Sequence, residues 1–147
     1  ALITPILDIF LGFPNHPWIK KQAKVRFFRR GKGSYDLDNK VHEGILIQST
    51  NIKRAHGGIL HFGESSVAIK VSKNNEYSTL KAIEKHSKNR QPSLIKLILI
   101  MPLFFIKSYV LQRNFLNGKR GFIASMINAF YAFLKEAKLY ESYWKDR

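Results

Sequence analysis

"SLIKLILIMPLFFIKSYVLQRNFL", Ser93 to Leu116, is the stretch on which the organisation of the chain turns. It is apolar almost all round, opens on a serine placed to cap a helix, and holds Pro102 in mid-run, where the missing N–H and the ring predict a kink. The charge-free part, Leu97 to Ile106, is about half of the roughly 20 residues that a spanning helix requires, and Lys96 and Lys107 bracket it. That argues against a span and for an interfacial or re-entrant helix whose lysines snorkel toward headgroups. The turn "NGKRG", Asn117 to Gly121, follows, and beyond it Phe122, Met126, Phe130, Phe133 and Ala137 recur at helical spacing. Ile123, Ile127 and Leu134 widen that stripe while Lys135 and Lys138 lie off it, the pattern of an amphipathic helix. Tyr140, Tyr143 and Trp144 then supply the aromatic residues that membrane interfaces favour. A helical hairpin packed on its own protein satisfies the same pattern, and the sequence leaves both readings open.

Upstream the texture changes. An apolar run from Ile6 to Leu11 ends in the loop signal "GFPNHP", Gly12 to Pro17. Short strands are expected at residues 24–30 in "KVRFFRRGKG", 40–48 in "KVHEGILIQ" and 57–62 in "GGILHFG". Tyr77, Leu80, Ala82 and Ile83 predict a helix capped at Asn74 or Asn75, and polar residues run on to Pro92. The expected class is α+β, with residues 1–88 forming a β-rich module and residues 89–147 an amphipathic, membrane-associated helical hairpin.

A length of 147 residues accommodates one domain with a core. The chain starts at Ala1 and its first methionine is Met101, so it is read as a piece of a longer protein, and its first residues do not have the pattern of a signal peptide. With 25 Lys+Arg against 10 Asp+Glu the net charge is +15, which implies attraction to polyanions: nucleic acid, anionic headgroups or phosphorylated substrates. The absence of cysteine excludes disulfides and thiolate metal sites. A hydrophobic content of 45% beside such a charge points to a membrane surface.

No Gly-rich phosphate loop, His-x-x-x-His pair or serine nucleophile elbow is present. In "YDLDN", Asp36 and Asp38 have a spacing that presents oxygens to a hard metal, but they follow a turn, where a solvated loop is the simpler reading. The acid-free basic cluster Lys20, Lys21, Lys24, Arg26, Arg29, Arg30 and Lys32, with Phe27 and Phe28 interleaved, admits three readings. It is a single-stranded nucleic-acid surface, a solvated strand face, or a strand on which Arg26 and Arg30 face one way and Arg29 the other, some of them clamping a diphosphate or an acid. In "VHEGILI", strand alternation puts His42 and Glu43 on opposite faces, so they do not work as a side-by-side pair. Glu43 falls on the more apolar face and requires a partner there, Arg26 or Arg29 being nearest in sequence, unless the strand begins only at Gly44.

The ordered set "FLG", "NHPW", "KVRFFRRGKGSY", "KVHEGI", "GILHF", "KNNEYSTL", the apolar stretch and "AFYAFLKEAKLYE" resembles the C-terminal half of bacterial family 2 glycosyltransferases, in particular those that build lipopolysaccharide core and related surface glycans. The resemblance runs from about Phe10 to Glu141; no single motif in it is highly specific, and its strength lies in the order. It implies the end of a GT-A catalytic domain followed by helices that hold the enzyme on the cytoplasmic face of the inner membrane, peripheral or re-entrant. It further implies a nucleotide-sugar donor, a lipid-linked glycan acceptor, a divalent cation (Mg or Mn) in the full-length enzyme, and no nucleic-acid partner. "RFFRR" matches an arginine strand of the family, which makes Arg26, Arg29 and Arg30 expected substrate-binding residues, with His61 of "GILHF" as a further one. "VHE" matches a recurring Val-His-Glu, so His42 is expected at the donor diphosphate or its metal and Glu43 at the arginine strand or near the acceptor. Relatives often carry an acid just before the arginine strand, where this chain has "KKQAK" with Gln22 near that position, and no general base is assigned. The nucleotide-binding half is expected upstream of Ala1, so the 147 residues alone are expected to be inactive, with a basic module binding nucleic acid or anionic membrane as the alternative reading.

Overall fold

The computed structural model describes residues 1–19, 22–35, 45–48 and 51–145. Its sheet is organised by a strand that the apolar run of the sequence only hinted at, β1 (Leu2–Phe10). β1 pairs antiparallel with β2 (Phe13–Pro14) and β3 (Ala23–Phe27), and parallel with β6 (Lys53–Arg54) and β7 (Ile59–Glu64). A second, two-stranded ladder pairs β4 (Gly33–Tyr35) with β5 (Ile45–Ile47). Parallel pairing needs a long return connection, and the chain between β3 and β7 supplies it.

The expected strand at 24–30 ends early. Gly31 takes a left-handed φ of 78° and Lys32 N donates to Arg29 O at 3.0 Å, so the chain turns directly after Phe28, and Arg29 and Arg30 lie in the turn instead of alternating along a strand. Of the expected strand at 40–48, Ile45–Ile47 is strand, and residues 40–44 lie outside the described residues. The strand at 57–62 is shifted to Ile59–Glu64. At Gly58 the backbones approach closely: a Cβ there would stand 3.1 Å from Pro5 O.

Three helices follow. α1 (Val67–Ser87) begins about two turns before the expected caps, on Ser66, whose side chain accepts from Ile69 N at 3.2 Å. Asn75 therefore sits inside the helix, where its carbonyl accepts from Ser78, Thr79 and Lys138. α2 (Leu94–Ile106) starts on Ser93 as expected, the serine Oγ accepting from Lys96 N at 3.4 Å. Pro102 is absorbed within α2, and the irregularity comes after it, as a π-turn over Lys107–Leu111 in which Gln112 N donates to Lys107 O. A 3₁₀ turn (Asn114–Asn117), flanked by left-handed Arg113 and by Gly118 at a φ of 60°, reverses the chain into α3 (Lys119–Lys145).

α3 packs along both α1 and α2, and what it buries is its small face: Gly121, Ser125, Ala129 and Ala132, with Glu136 and Leu139. Small side chains let helix axes come close. Of the large apolar stripe singled out in the sequence, Phe122, Met126 and Phe130 are exposed, and Ile123, Ile127, Phe133, Leu134 and Ala137 are half-buried. α2 buries none of its residues, and Leu94, Ile95, Ile98, Leu99, Leu103 and Ile106 are all exposed. With its π-turn it makes an apolar helical run of 18 residues, Leu94–Leu111, long and apolar enough to cross a membrane by length and composition, and longer than the charge-free stretch from which a span was discounted. Glu136 is nevertheless paired to Lys85 of α1 and, at 3.3 Å, to Lys96 of α2, so this run is tied by charges to the helices beside it.

Candidate functional site

Side chains alternate along β1, and Ile6, Asp8 and Phe10 share one face. That face, continued by Ile59 and His61 of β7 and by Lys24 and Arg26 of β3, forms one wall of a cleft of about 740 Å³. Lys70 and Tyr77 of α1, Gln112 and Asn114 beyond the π-turn, and Asn128 of α3 form the other. The cleft lies where sheet and helices meet.

Three sets of contacts fix its shape. Lys70, 6% exposed, is ion-paired to Glu64 and lies 5.5 Å from the centre of the Phe10 ring, while Lys73 Nζ donates to Gly63 O at 2.6 Å, so α1 grips the end of β7. The loop after β1 is held by Asn117, which donates to Asn15 Oδ1 at 2.7 Å and accepts from His16 N at 2.9 Å. Arg120 stacks on Phe13 at 4.6 Å beside it. Ser108, buried, gathers the amides on the helical wall: Asn114 donates to its carbonyl at 2.9 Å and to its hydroxyl at 3.2 Å, and Asn128 donates to the hydroxyl at 3.3 Å. Buried polar groups that are partnered in this way hold a fixed geometry.

On the floor, Asp8 and His61 are register partners across the parallel β1–β7 pair, and His61 Nδ1 lies 2.8 Å from Asp8 Oδ1. Both side chains stay open to solvent, at 57% for His61 and 41% for Asp8. The cleft therefore presents cations (Lys24, Arg26), the Lys70–Glu64 ion pair, a carboxylate–imidazole pair, and amides suited to hydroxyl groups.

Of the residues expected at a site, Arg26 and His61 are brought to this one cleft, and Gln22, near the position where relatives carry an acid, lines it too. Arg29 lines a separate hollow of about 710 Å³ with Lys32, Lys53, Phe27 and Phe28, and Arg30 lies in the turn next to it. His42 and Glu43, with Asp36, Asp38, Lys20 and Lys21, lie outside the described residues. Sequence reasoning missed Asp8, Glu64 and Lys70. Asp8 had a signal, since a lone carboxylate in the apolar run "ILDIF" needs a partner. Among the described residues no three His, Asp or Glu side chains converge as a metal ion would require, so the described part of the cleft does not by itself form a metal site.

No family model and no solved structure matches the chain. It is 38% identical over 123 residues to the lipopolysaccharide core biosynthesis glycosyltransferase LpsC of Rhizobium meliloti, covering 84% of this chain and 46% of LpsC. Uncharacterized glycosyltransferases of Rickettsia bellii (37% over 110 residues; 71% of this chain, 37% of the relative) and Rickettsia typhi (34% over 130 residues; 84% and 44%) match as well. The chain thus spans less than half the length of these curated relatives, and over most of its own length it is similar to proteins named as glycosyltransferases.

Proposed function

We propose that this chain is the C-terminal portion of a family 2, GT-A-type glycosyltransferase that moves a sugar from a nucleotide-sugar donor to a lipid-linked glycan acceptor, of the lipopolysaccharide kind, at the cytoplasmic face of the inner membrane. The observation that carries the reading is the 38% identity to LpsC over 84% of the chain. Two features of the molecule support it. The cleft combines Lys24 and Arg26 with the amides of Asn15, Gln112, Asn114 and Asn128, cations for phosphate oxygens and amides for sugar hydroxyls. The uncovered apolar side of α2, flanked by Lys96 and Lys107, matches a helix lying in the headgroup region, peripheral or re-entrant, near a lipid-borne acceptor.

In this reading Arg26 and His61 act in the cleft, Arg29 and Arg30 bind anionic groups at the separate hollow, and His42 and Glu43 serve the donor diphosphate and the arginine turn. A Mg or Mn ion belongs to the whole enzyme, with ligands from outside the residues described here. The test is deletion of the gene followed by mass spectrometry of the surface glycan. The expected result is a glycan truncated at one sugar, restored by the full-length gene. An unchanged glycan, together with no sugar transfer by purified full-length protein, would refute the proposal.

A further inference from the structure

Resting on that reading, sugar transfer requires a group able to take the proton of the acceptor hydroxyl, and the cleft is where the described residues could supply it. The described residues offer few. Glu64 is engaged by Lys70, and Lys24, Arg26 and Lys70 are donors. Asp8 is engaged by His61, and the consequence falls on the imidazole. An ionised carboxylate only accepts hydrogen bonds, so at 2.8 Å it fixes the proton on Nδ1, and in the neutral imidazole the lone pair is then on Nε2. Strand register holds the pair in place, and a break in the β1–β7 register follows directly between Asp8 and Phe10.

Gly63 supplies a second, independent observation. The imidazole lies across it so closely that a Cβ at that position would stand 2.5 Å from Cε1 and 2.7 Å from Nε2 of His61. Residue 63 thus keeps a space that the ring occupies, and any larger residue there forces the ring to shift from its place beside Asp8.

We propose that His61 is the general base of sugar transfer and that Asp8 is its positioning residue. In the step, His61 Nε2 takes the hydroxyl proton while the acceptor oxygen forms its bond to the anomeric carbon of the donor. The bond from that carbon to the diphosphate oxygen breaks, and its electron pair departs on the nucleotide diphosphate.

The test uses the full-length enzyme. Transfer of radiolabelled sugar is measured from a panel of UDP-, GDP- and ADP-linked hexoses to lipopolysaccharide extracted from the deletion strain. His61→Ala is expected to lower kcat by about 10²–10⁴-fold, the usual contribution of a general base, with the acceptor KM held within about 3-fold. Added imidazole is expected to restore part of the rate of His61→Ala and none of that of Asp8→Asn. Gly63→Ala, which leaves both side chains chemically intact, is expected to lower kcat by about tenfold or more with KM again unchanged. Circular dichroism establishes folding, and should His61→Ala fail to fold, Asp8→Asn and Gly63→Ala decide the matter. A wild-type enzyme that transfers sugar while these folded variants keep kcat within about 3-fold, or lose only KM, overturns the role of His61 and leaves the function standing. A wild-type enzyme that transfers nothing overturns both.

Discussion

Glu136 is the carboxylate on which the three helices converge, and it makes a prediction with an unusual asymmetry. Its side chain is 6% exposed and is held by Lys85, itself 27% exposed, and by Lys96 at 3.3 Å, which is half exposed. Burial opposes ionisation of Glu136, but the hydrogen bond and charge of Lys85, with Lys96 behind it, outweigh that and hold the carboxyl below its ordinary value of 4.5. Removing Lys85 therefore leaves a buried charge with one half-exposed, solvent-screened partner, whereas removing Glu136 frees lysines that can turn to water. Breaking a buried pair from the side that leaves the charge uncompensated costs about 3–5 kcal/mol, and the surviving Lys96 places Lys85→Met at the low end, about 3 kcal/mol. Glu136→Met is expected to cost about 1 kcal/mol, and the double variant to be more stable than Lys85→Met alone, since apolar replacement of a buried pair is often neutral.

The assay is urea unfolding of the four species, followed by circular dichroism. A pH series adds a sign. Because the folded carboxyl titrates lower than the unfolded one, its stabilisation is complete above about 4.5 and is lost as pH falls below that. In Lys85→Met burial is no longer outweighed and the folded carboxyl moves up, so the loss of stability on acidification should shrink or reverse relative to wild type. A Lys85→Met cost below about 1 kcal/mol, or a double variant less stable than Lys85→Met, would refute the account of a buried charge that depends on its partner.

Further expectations follow from other contacts. A Cβ on Gly121 would stand 1.8 Å from Asn114 O, so Gly121→Ala must push the 3₁₀ turn away from α3; a loss of about 2–3 kcal/mol is expected by urea unfolding, and wild-type stability would contradict the close approach. Ile95→Lys and Leu103→Lys charge the open side of α2 at positions 72% and 59% exposed, so stability should stay within about 0.5 kcal/mol while flotation with anionic vesicles falls sharply; unchanged flotation would remove α2 from the membrane contact. Lys81 first and Lys88 second hold the Glu84 carboxyl at about 2, so its carbon-13 shift should titrate there and move up toward 4.5 in Lys81→Met/Lys88→Met; a midpoint near 4.5 in the wild type would disprove the pairing.

Much of the helical half was legible in the sequence, and its errors have identifiable causes. Ser93 caps α2 because a serine followed by an unbroken apolar run has few alternatives. Ser66 is an equally good cap, but Val67, Ile69 and Val71 after it are β-branched and weak helix formers, so the first turns of α1 carry little helix signal although tertiary packing makes them helix. On α3 the eye follows the large residues. The packing follows Gly121, Ser125, Ala129 and Ala132, because a close approach of helix axes favours small side chains at the contact, and the large ones sit beside it, half-buried or exposed.

The sheet was harder because its central strand carries two features that sequence rules read as interruptions, Pro5 and Asp8. A proline within a strand is accommodated where its missing N–H is not needed, and an acid is accommodated where the neighbouring strand offers a donor. Pro5 is the register partner of Ala23 in β3, and the condition for Asp8 is set by β7, more than fifty residues downstream, where His61, 53 residues from Asp8, bonds its carboxylate. "GILHF" and "ILDIF" therefore explain each other only once parallel register is known, and nothing local to either fixes that register. The arginines fail in the opposite sense. Strand alternation would have set Arg26 and Arg30 together, but Gly31 ends the strand by turning it, so Arg26 reaches the cleft and Arg29 does not. A cluster contiguous in sequence is divided between two hollows, while a pair far apart in sequence is joined. This is why the pairing of His61 with Asp8 had to be found in the strand register and could not be found in a motif.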